Sequence, residues 1–354
     1  MTNLTIHNPS QTGDQGDGRA ASYVHIGMPK TATTTIQNNI FFKHSEVVYL
    51  GKRSELPKIP DRETTAFYHW LSKSPSSMPQ QVLSEYRETI NQRRQQGKTV
   101  ILSKEALTAA PIEKKKHQAR RLHELFGDTR ILLTTREPVS FMESFYFQQL
   151  RGYQQRPQEH QHIASRFGRP PRFFGFNEWL DIAWSLSMGG ILNHLKLADT
   201  LDVYANEFGR ENILIVPFEK IKQDSDQFYR TISEHIGIDA DESIALSKQD
   251  LPRNIRWTAG VFERLERICN SRYGRWKFRL FGQKQRLSDY LGKHMETALD
   301  GAKRAHAEIS EQSRDRILSV SRPQCDRLVR EWNVPLAEYG YPLSSGEGQV
   351  ARAA

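Results

Sequence analysis

The chain has 354 residues, of which 37% are hydrophobic and 10% aromatic, and this supply of bulky apolar side chains excludes global disorder. Fifty Lys and Arg residues against 41 Asp and Glu residues give a formal net charge of +9, which favours anionic partners. The two cysteines, Cys269 and Cys325, lie far apart in the sequence, which excludes both a disulfide framework and a cysteine-based zinc site.

The two ends of the chain differ in composition from its body. Residues 1–20 and 344–354 contain few bulky apolar side chains, and both are predicted to be flexible. Residues 21–343 contain no internal repeat or long linker and are predicted to form a single domain. The longest uncharged stretch, residues 182–195, is too short to span a bilayer, and no basic-then-apolar leader opens the chain, so we expect a cytoplasmic protein.

Strands and helices alternate along the predicted domain. Four short apolar runs predict strands, at residues 22–26, 99–103, 130–135 and 212–217. Helical periodicity is clearest at residues 33–42, 78–96, 115–126, 139–151, 225–235, 261–271 and 310–332. We expect Pro323 to break or kink the last of these helices. The alternation predicts an α/β fold, a doubly wound, mostly parallel sheet with helices on both faces, in which ligands bind at the carboxyl ends of the strands.

The turn after the first predicted strand has the composition of a phosphate-binding loop. It contains Gly27, Pro29 and Lys30, and the threonines at 33–35 begin the next helix. Unpaired N–H groups at a helix start, a nearby lysine and several hydroxyls together form a cradle for a phosphate. The alternative is a threonine-rich helix cap beside a solvated lysine. His25, inside the strand, is expected to be a packed core residue whose hydrogen bonds are satisfied.

Residues 29–35, Pro-Lys-Thr-Ala-Thr-Thr-Thr, lack the glycine before the lysine that a nucleoside triphosphate loop requires. They resemble instead the 5′-phosphosulfate loop of sulfotransferases that use 3′-phosphoadenosine 5′-phosphosulfate (PAPS), which usually reads Pro-Lys-Ser/Thr-Gly-Thr-Thr. The resemblance implies that Lys30 neutralises the bridging oxygen of the leaving phosphate. It also implies that four residues bind the 5′-phosphate, namely Thr31, Ala32, Thr33 and Thr34. Ala32 replaces the usual glycine, and a positive φ there would strain it by about 1 kcal/mol or more.

A second motif follows the third predicted strand. In the sulfotransferase family, the 3′-phosphate site has an arginine at a strand end, a proline two residues later and a serine eight residues after the arginine. Arg136, Pro138 and Ser144 match these offsets, so the resemblance implies that Arg136 and Ser144 bind the 3′-phosphate of PAPS. The alternative is an arginine at a helix start with a serine on the helix face. Softer similarity later in the chain extends the resemblance over residues 22–260.

Transfer of a sulfuryl group to a hydroxyl requires a base for the acceptor proton. Glu105, at the end of the second predicted strand, is the candidate, because carbohydrate-type members of the family carry a glutamate in this region. His160 and His162 are the competing bases, and the plain alternative is a glutamate that stabilises a helix start. Ser103 and Lys104 are expected to help orient the acceptor or the sulfate.

Two further segments are rich in basic residues. Residues 255–286 form a basic aromatic segment, with nine Lys or Arg residues against two Glu, which suits an anionic membrane surface. Two other interpretations are open: Arg253 or Arg256 closes over the nucleotide, or the segment is a half-buried strand with a charged outer face. Residues 151–178 are rich in arginine and predict an irregular loop that binds the acceptor, the alternative being a solvated insertion.

Together these motifs predict a P-loop sulfotransferase-like enzyme. By the resemblance, it transfers the sulfuryl group of PAPS to a hydroxyl of a carbohydrate or glycolipid, with PAPS as co-substrate, no metal and no nucleic acid as partner. Two other functions remain open, a P-loop kinase-like phosphotransferase and a basic nucleic-acid-binding protein built on residues 255–286. The predicted location is the cytoplasm, with peripheral contact at the inner membrane surface, and the sequence leaves the oligomeric state open.

Overall fold

The computed structural model describes residues 22–50, 71, 80–155, 161–167, 172–185, 190–249, 258–273, 276 and 304–344. Several predictions lie outside these residues: the segment at 1–20, most of the tail, His160, the arginines at 253 and 256, and most of 255–286. The described residues divide into two compact units, the first drawn from Met1–Arg136, Gly189–Leu251 and Gln324–Ala354, and the second from Glu137–Met188 and Pro252–Pro323. The single domain over residues 21–343 stays a prediction.

The first unit is built on a five-stranded sheet. Its strands are β1 (Ser22–His25), β2 (Val47–Tyr49), β3 (Thr99–Ser103), β4 (Thr129–Thr135) and β5 (Ile213–Pro217), in the spatial order β2-β3-β1-β4-β5. Every neighbouring pair is parallel, so the carboxyl ends of the strands share one edge. The predicted parallel α/β sheet is therefore confirmed, while the three-residue strand β2 was missed.

The described helices are α1 (Thr33–Thr35) with a π-helical continuation (Ile36–Phe41), α2 (Gln80–Gln95), α3 (Ile112–Phe126), α4 (Pro138–Gln155), α5 (Gln161–Phe167), α6 (Phe176–Ser185), α7 (Leu197–Phe208), α8 (Lys220–Gln223), α9 (Ser225–Ile236), α10 (Ala240–Ser247), α11 (Ala259–Asn270) and α12 (Glu311–Trp332). Pro323 lies within α12, so the predicted break is wrong: proline removes one backbone donor, and the helix continues on its other hydrogen bonds. The alternative, a kink at Pro323, stays a prediction. The irregular loop predicted for 151–178 is also wrong where that range is described, because α4, α5 and α6 occupy most of it. None of the described helices is long and apolar enough to cross a membrane.

Helices cover both faces of the sheet, as predicted. On one face, side chains of β1, β3 and β4 form a core with the π-helical stretch, α9 and α10; this core includes Tyr23, Ile101, Leu132, Phe228 and Ile232. The strand residues that alternate with these point to the other face of the sheet and are equally buried. On that face, α2 packs on β3, α7 packs on β4, and both helices pack on α3. In the order β2-β3-β1-β4-β5, the chain leaves β1 towards β2 and leaves β3 in the opposite direction, towards β4. Right-handed connections that start from β1 and from β3 therefore run over opposite faces of the sheet. A crevice for a ligand is expected where they diverge, at the carboxyl ends.

The second unit has an aromatic core of its own. The ring of Tyr146, on α4, has its centroid 6.2 Å from that of Phe174, 5.6 Å from Phe176 and 5.7 Å from Trp179. The Tyr146 hydroxyl donates to the carbonyl of Phe174 at 2.8 Å, so this large ring is buried without an unsatisfied polar group. These contacts anchor α4, the helix that carries Ser144.

Candidate active site

Two of the predicted cationic residues meet at the carboxyl edge of the sheet. Lys30 follows β1 and Arg136 follows β4, and these strands are neighbours. Nη1 of Arg136 donates a hydrogen bond to the backbone carbonyl of Lys30 at 2.9 Å. The guanidinium also lies over the ring of Phe218, 5.0 Å from its centroid. The structure thus brings together one residue that the resemblance assigns to the 5′ end of the nucleotide, Lys30, and one that it assigns to the 3′ end, Arg136.

The loop after β1 has a strained backbone. Lys30 and Ala32 have φ values of 69° and 59°, in the left-handed region that residues other than glycine avoid. Ala32 is the N-cap of α1, and its carbonyl accepts a hydrogen bond from the Ile36 N–H at 3.0 Å. Position 32 therefore has the positive φ for which the family's usual residue is glycine. Such strain persists only where the surrounding structure fixes it.

Thr31 lies between these two residues, and its hydroxyl faces the protein interior. The residue is buried, and its Oγ1 donates to the carbonyl of Met28 at 2.6 Å. The same oxygen lies 2.6 Å from Oγ1 of Thr134. The predicted contact between this hydroxyl and a phosphate is not what the structure shows.

Glu105 joins the same loop from the next strand. It opens a 3-10 turn, Glu105–Leu107, directly after the carboxyl end of β3, and it is half-buried. Its Oε1 accepts a hydrogen bond from the hydroxyl of Thr33. Since β3 and β1 are neighbours, the candidate base and the candidate phosphate loop belong to one site. The hydroxyl proton of Thr33 is used by the carboxylate, so its N–H is the group that suits a phosphate.

Ser103 has a structural role in place of the predicted contact with acceptor or sulfate. It is buried, and its Oγ accepts from Nε2 of Gln37 at 2.9 Å and lies 2.8 Å from Nδ1 of His25. The backbone N–H of Lys104 donates to the His25 carbonyl at 3.0 Å. His25 is packed and hydrogen-bonded, as predicted, with Nε2 3.1 Å from Oγ1 of Thr134. Burial lowers the pKa of His25 to about 3, so its ring is neutral at pH 7.

The remaining predicted residues lie elsewhere in the chain. Ser144 belongs to α4 in the second unit and is buried, and its contact with a 3′-phosphate stays a prediction. His162 belongs to α5, and His160 precedes that helix, outside the described residues. Their role as alternative bases therefore also stays a prediction.

Sequence reasoning missed the roles of two residues, Phe218, which directly follows β5 and contacts Arg136, and Tyr341, which contacts Glu219. The N–H of Phe218 donates to the carbonyl of Thr135 at 2.7 Å, which holds the aromatic ring beside the guanidinium. The hydroxyl of Tyr341 donates to Glu219 at 3.0 Å, and burial raises the pKa of this tyrosine well above its ordinary value. The signal for Phe218 was its place directly after a predicted strand. No local pattern indicates Tyr341, because its partner is 122 residues away.

The chemistry of this edge suits an anion. Lys30 and Arg136 supply its positive charges, and guanidinium groups and helix starts are the usual partners of phosphate oxygens. The carboxylates of Glu105 and Glu219, which follow β3 and β5, also lie at this edge, and each accepts a hydrogen bond from a hydroxyl. Across the part of the chain that the structure describes, no three His, Cys, Asp or Glu side chains are grouped so that they could hold a metal ion.

No protein-family model matches the chain, and no curated protein matches it in sequence. Among solved structures, the sulfotransferase from Alicyclobacillus acidocaldarius is similar to it, at 14% identity and a TM-score of 0.40, over 70% of this chain and 91% of the other. The sulfotransferase domain of the Synechococcus PCC 7002 olefin synthase is also similar, at 11% identity and a TM-score of 0.36, over 87% of this chain and 96% of the other. Mouse sulfotransferase SULT7A1, complexed with PAP, is 13% identical with a TM-score of 0.36, over 78% and 88%. We infer the function of this chain from its own residues.

Proposed function

We propose that this protein is a sulfotransferase that moves the sulfuryl group of PAPS to a hydroxyl of an acceptor. The observation that carries the proposal is the 2.9 Å hydrogen bond between Nη1 of Arg136 and the carbonyl of Lys30. This bond joins a cation that suits a 3′-phosphate to a loop that suits a 5′-phosphosulfate. One doubly phosphorylated nucleotide could therefore reach both groups. ATP has no 3′-phosphate, so it would gain no phosphate contact from Arg136.

The loop after β1 has the chemistry that the leaving group needs. N–H groups at a helix start carry partial positive charge and bind phosphate oxygens. The ammonium group of Lys30 would neutralise the negative charge that grows on the bridging oxygen as the bond to sulfur breaks. Charge placed in advance at this position stabilises the transition state more than the ground state, as it does in phosphoryl transfer.

Glu105 is the proposed base. The acceptor oxygen attacks sulfur, the bond between sulfur and the phosphate oxygen breaks, and 3′-phosphoadenosine 5′-phosphate (PAP) leaves with the electron pair. Glu105 takes the acceptor proton as the new bond forms. The hydrogen bond from Thr33 restrains the carboxylate beside the loop, so the base is held near the place where the reaction occurs. The proposal includes no metal ion.

We also propose a carbohydrate or glycolipid as the acceptor. A glutamate base supports this class by resemblance, and so do exposed aromatic rings in the described part of the basic aromatic segment. Tyr273 and Trp276 are 67% and 56% exposed, with ring centroids 6.1 Å apart. Rings of this kind suit sugar faces and membrane interfaces. Incubation with sulfur-labelled PAPS and a cell extract should label a glycan or glycolipid, and a labelled small phenol or protein would contradict the proposal.

Calorimetry with two nucleotides tests the donor. We expect PAP to bind at least about tenfold more tightly than ATP with magnesium, because Arg136 gains a phosphate partner. Equal affinities, or a preference for ATP, would overturn the proposal in favour of a kinase-like phosphotransferase. Salt-sensitive binding of oligonucleotides in place of PAP would favour the nucleic-acid-binding alternative.

Replacement of one lysine tests the chemistry. We expect Lys30→Ala to lower kcat for sulfuryl transfer on the order of 10²-fold to 10³-fold, the usual effect of removing one charge-stabilising group. Lys98→Ala is the matched control, since Lys98 donates to the Ser45 carbonyl at 2.6 Å at the amino end of β3. Equal rates for the two variants would contradict the role of Lys30.

A further inference from the structure

A continuous chain of hydrogen bonds, all buried except the partly buried bond from Gln37, runs beneath the loop after β1. Its members, in order, are Gln37, Ser103, His25, Thr134, Thr31 and the carbonyl of Met28. The successive distances are 2.9, 2.8, 3.1, 2.6 and 2.6 Å, all within hydrogen-bonding range. The chain therefore connects the π-helical stretch, three neighbouring strands and the loop.

The parallel register of the sheet explains why these side chains meet. His25 is the direct partner of Ser103 across β1 and β3. On the other side, His25 is the partner of Leu132 in β4, and Thr134 lies two residues further along. Because side chains two residues apart point to the same face of a strand, His25 lies between the two hydroxyls.

Counting the available protons fixes which group donates and which accepts in each of these hydrogen bonds. Each hydroxyl has one proton to donate. Thr31 donates its proton to the carbonyl of Met28, so the proton between Thr31 and Thr134 must come from Thr134. Nε2 of His25 must then carry the proton that goes to Thr134. Nδ1 is consequently the acceptor, and Ser103 donates to it while accepting from Gln37.

Gly27 leaves the space that this chain needs. A Cβ atom at this position would lie 2.1 Å from Oγ1 of Thr134 and 2.3 Å from Nε2 of His25. Any side chain at residue 27 would therefore displace the two atoms that share the central hydrogen bond. The glycine, whose place in the loop the sequence indicates only as a turn residue, is required by the contact between His25 and Thr134.

The series of hydrogen-bonded side chains ends at Thr31, which lies between the two loop residues with left-handed backbone. Lys30 and Ala32 both have positive φ, and their strain must be held by contacts around them. The hydroxyl of Thr31 is fixed on both sides, by Thr134 and by the carbonyl of Met28. It is therefore placed to hold the loop in the conformation that presents Lys30.

We propose that His25, as the neutral tautomer protonated on Nε2, is a positioning residue for the donor loop. His25 orients the Thr134 hydroxyl, which in turn orients the Thr31 hydroxyl, and these hydrogen bonds stabilise the strained backbone at Lys30 and Ala32. The inference rests on the proposed function, because the loop is taken to bind the 5′-phosphosulfate of PAPS. His25 touches no substrate in this proposal and acts only through the hydroxyls beside it.

Two substitutions of Thr134 test the positioning role. Thr134→Val keeps the size of the side chain but removes the hydroxyl, whereas Thr134→Ser keeps the hydroxyl. We expect the valine variant to bind PAP about tenfold more weakly and to lose a similar factor in kcat, with the serine variant close to the unmodified protein. The measurements are made well below the unfolding temperature, so that lower stability alone would leave both constants unchanged. Equal constants for all three proteins would overturn the proposal.

Nitrogen NMR of the His25 ring tests the tautomer without any nucleotide. The signal is assigned by its loss in His25→Gln, and we expect Nε2 to be protonated and Nδ1 unprotonated at pH 7. A ring protonated on Nδ1, or on both nitrogens, would overturn the proposed direction of the chain. This result also separates the two proposals, since absence of PAP binding by the unmodified protein would count against the function and not against the tautomer. If Thr134→Val fails to fold, the NMR result still tests the proposed tautomer of His25, because it uses the unmodified protein.

Discussion

Arg136 is the residue on which the predicted donor site depends most. Its guanidinium contacts the loop carbonyl and the Phe218 ring. We expect Arg136→Ala to weaken PAP binding on the order of 10-fold to 100-fold, the size of a lost charge-assisted hydrogen bond to a ligand. Calorimetry measures this change.

The same strand offers a matched control at its other end. Arg130 lies near the amino end of β4, where Nη1 donates to the hydroxyl of Tyr23 at 3.3 Å and to the carbonyl of His235 at 3.2 Å. Arg130→Ala removes an equal charge from β4 but leaves the carboxyl edge intact, so PAP affinity should be unchanged. Similar losses in Arg130→Ala and Arg136→Ala would show that the overall charge, and not a specific site, binds the nucleotide.

Glu105 can be tested without altering its shape. Glutamine in its place can still accept the hydrogen bond from Thr33 but cannot take a proton at neutral pH. We expect Glu105→Gln to lower kcat on the order of 10²-fold to 10⁴-fold and to leave the Kd for PAP unchanged. Glu113→Gln, at an exposed residue that pairs with Lys116, is the control. Full turnover by Glu105→Gln would exclude this base and direct attention to His160 and His162.

Ala32 gives the site a residue whose replacement should stabilise the protein. At φ 59° an alanine costs about 1–2 kcal/mol relative to glycine, and the extra freedom of glycine in the unfolded chain offsets part of this. We expect Ala32→Gly to raise the free energy of unfolding by about 0.5 kcal/mol, measured by urea titration, with sulfuryl transfer retained. A lower free energy of unfolding would contradict the strain inferred from the backbone.

The meeting of Lys30, Glu105 and Arg136 could be predicted from the sequence, since each follows a strand and parallel strands share one carboxyl edge. Their roles stay predictions. The inward orientation of the Thr31 and Ser103 hydroxyls could not be predicted in the same way. It depends on the strand register and on the bend of the loop, which local sequence does not fix.

Among the elements, α3 contains a buried charge that the fold does not pair closely with a carboxylate. Lys115 is buried, and its Nζ donates to Oγ1 of Thr200 at 2.5 Å and to the Asn193 carbonyl at 3.4 Å. Burial lowers the pKa of Lys115 from 10.5 to about 8, so its charged form is unfavourable in the folded state.

We expect Lys115→Met to raise the free energy of unfolding at pH 7, by at most about 3 kcal/mol given the lowered pKa. The gain should shrink as the pH rises from 8 towards 10.5, because the folded state then loses the proton and the cost of burying the charge disappears. Lys116→Met, at a half-exposed neighbour paired with Glu113, is the control. No gain over this control in urea titrations at pH 7 would contradict the prediction.

At the scale of elements, strongly patterned segments were predicted closely and short or atypical ones were not. Strand β2 has three residues, Val47–Tyr49, too few for a pattern to emerge. Helix α7 was overlooked although Leu197, Leu201, Tyr204 and Phe208 repeat at helical spacing, so a usable signal was present. Helix α12 continues through Pro323 against the local preference of proline.

For the molecule as a whole, buried neutral histidines couple stability to acid. Burial lowers the pKa of His25 and of His194 to about 3, the second with help from the charge of Lys115, and lowers that of His235 to about 4. Below pH 6.5 the unfolded chain binds protons at these rings and the folded chain does not, so the free energy of unfolding falls as the pH decreases from 6.5 towards these values.

We expect urea titrations to show a clear loss of stability between pH 7 and pH 5, approaching about 1.4 kcal/mol per pH unit for each ring once the pH is well below 6.5. A free energy of unfolding that is constant between pH 7 and pH 5 would show that these rings can be protonated in the folded state.

The bond between Arg136 and Lys30 uses the peptide oxygen of the lysine and not its ammonium group. Shortening the side chain at position 30 therefore leaves this hydrogen bond in place, so its loss does not contribute to any activity lost in Lys30→Ala. At position 136 the side chain that makes this bond is also the one proposed to bind the nucleotide. Defects at that position will combine misshapen architecture with missing charge, and only the comparison of the two positions can separate them.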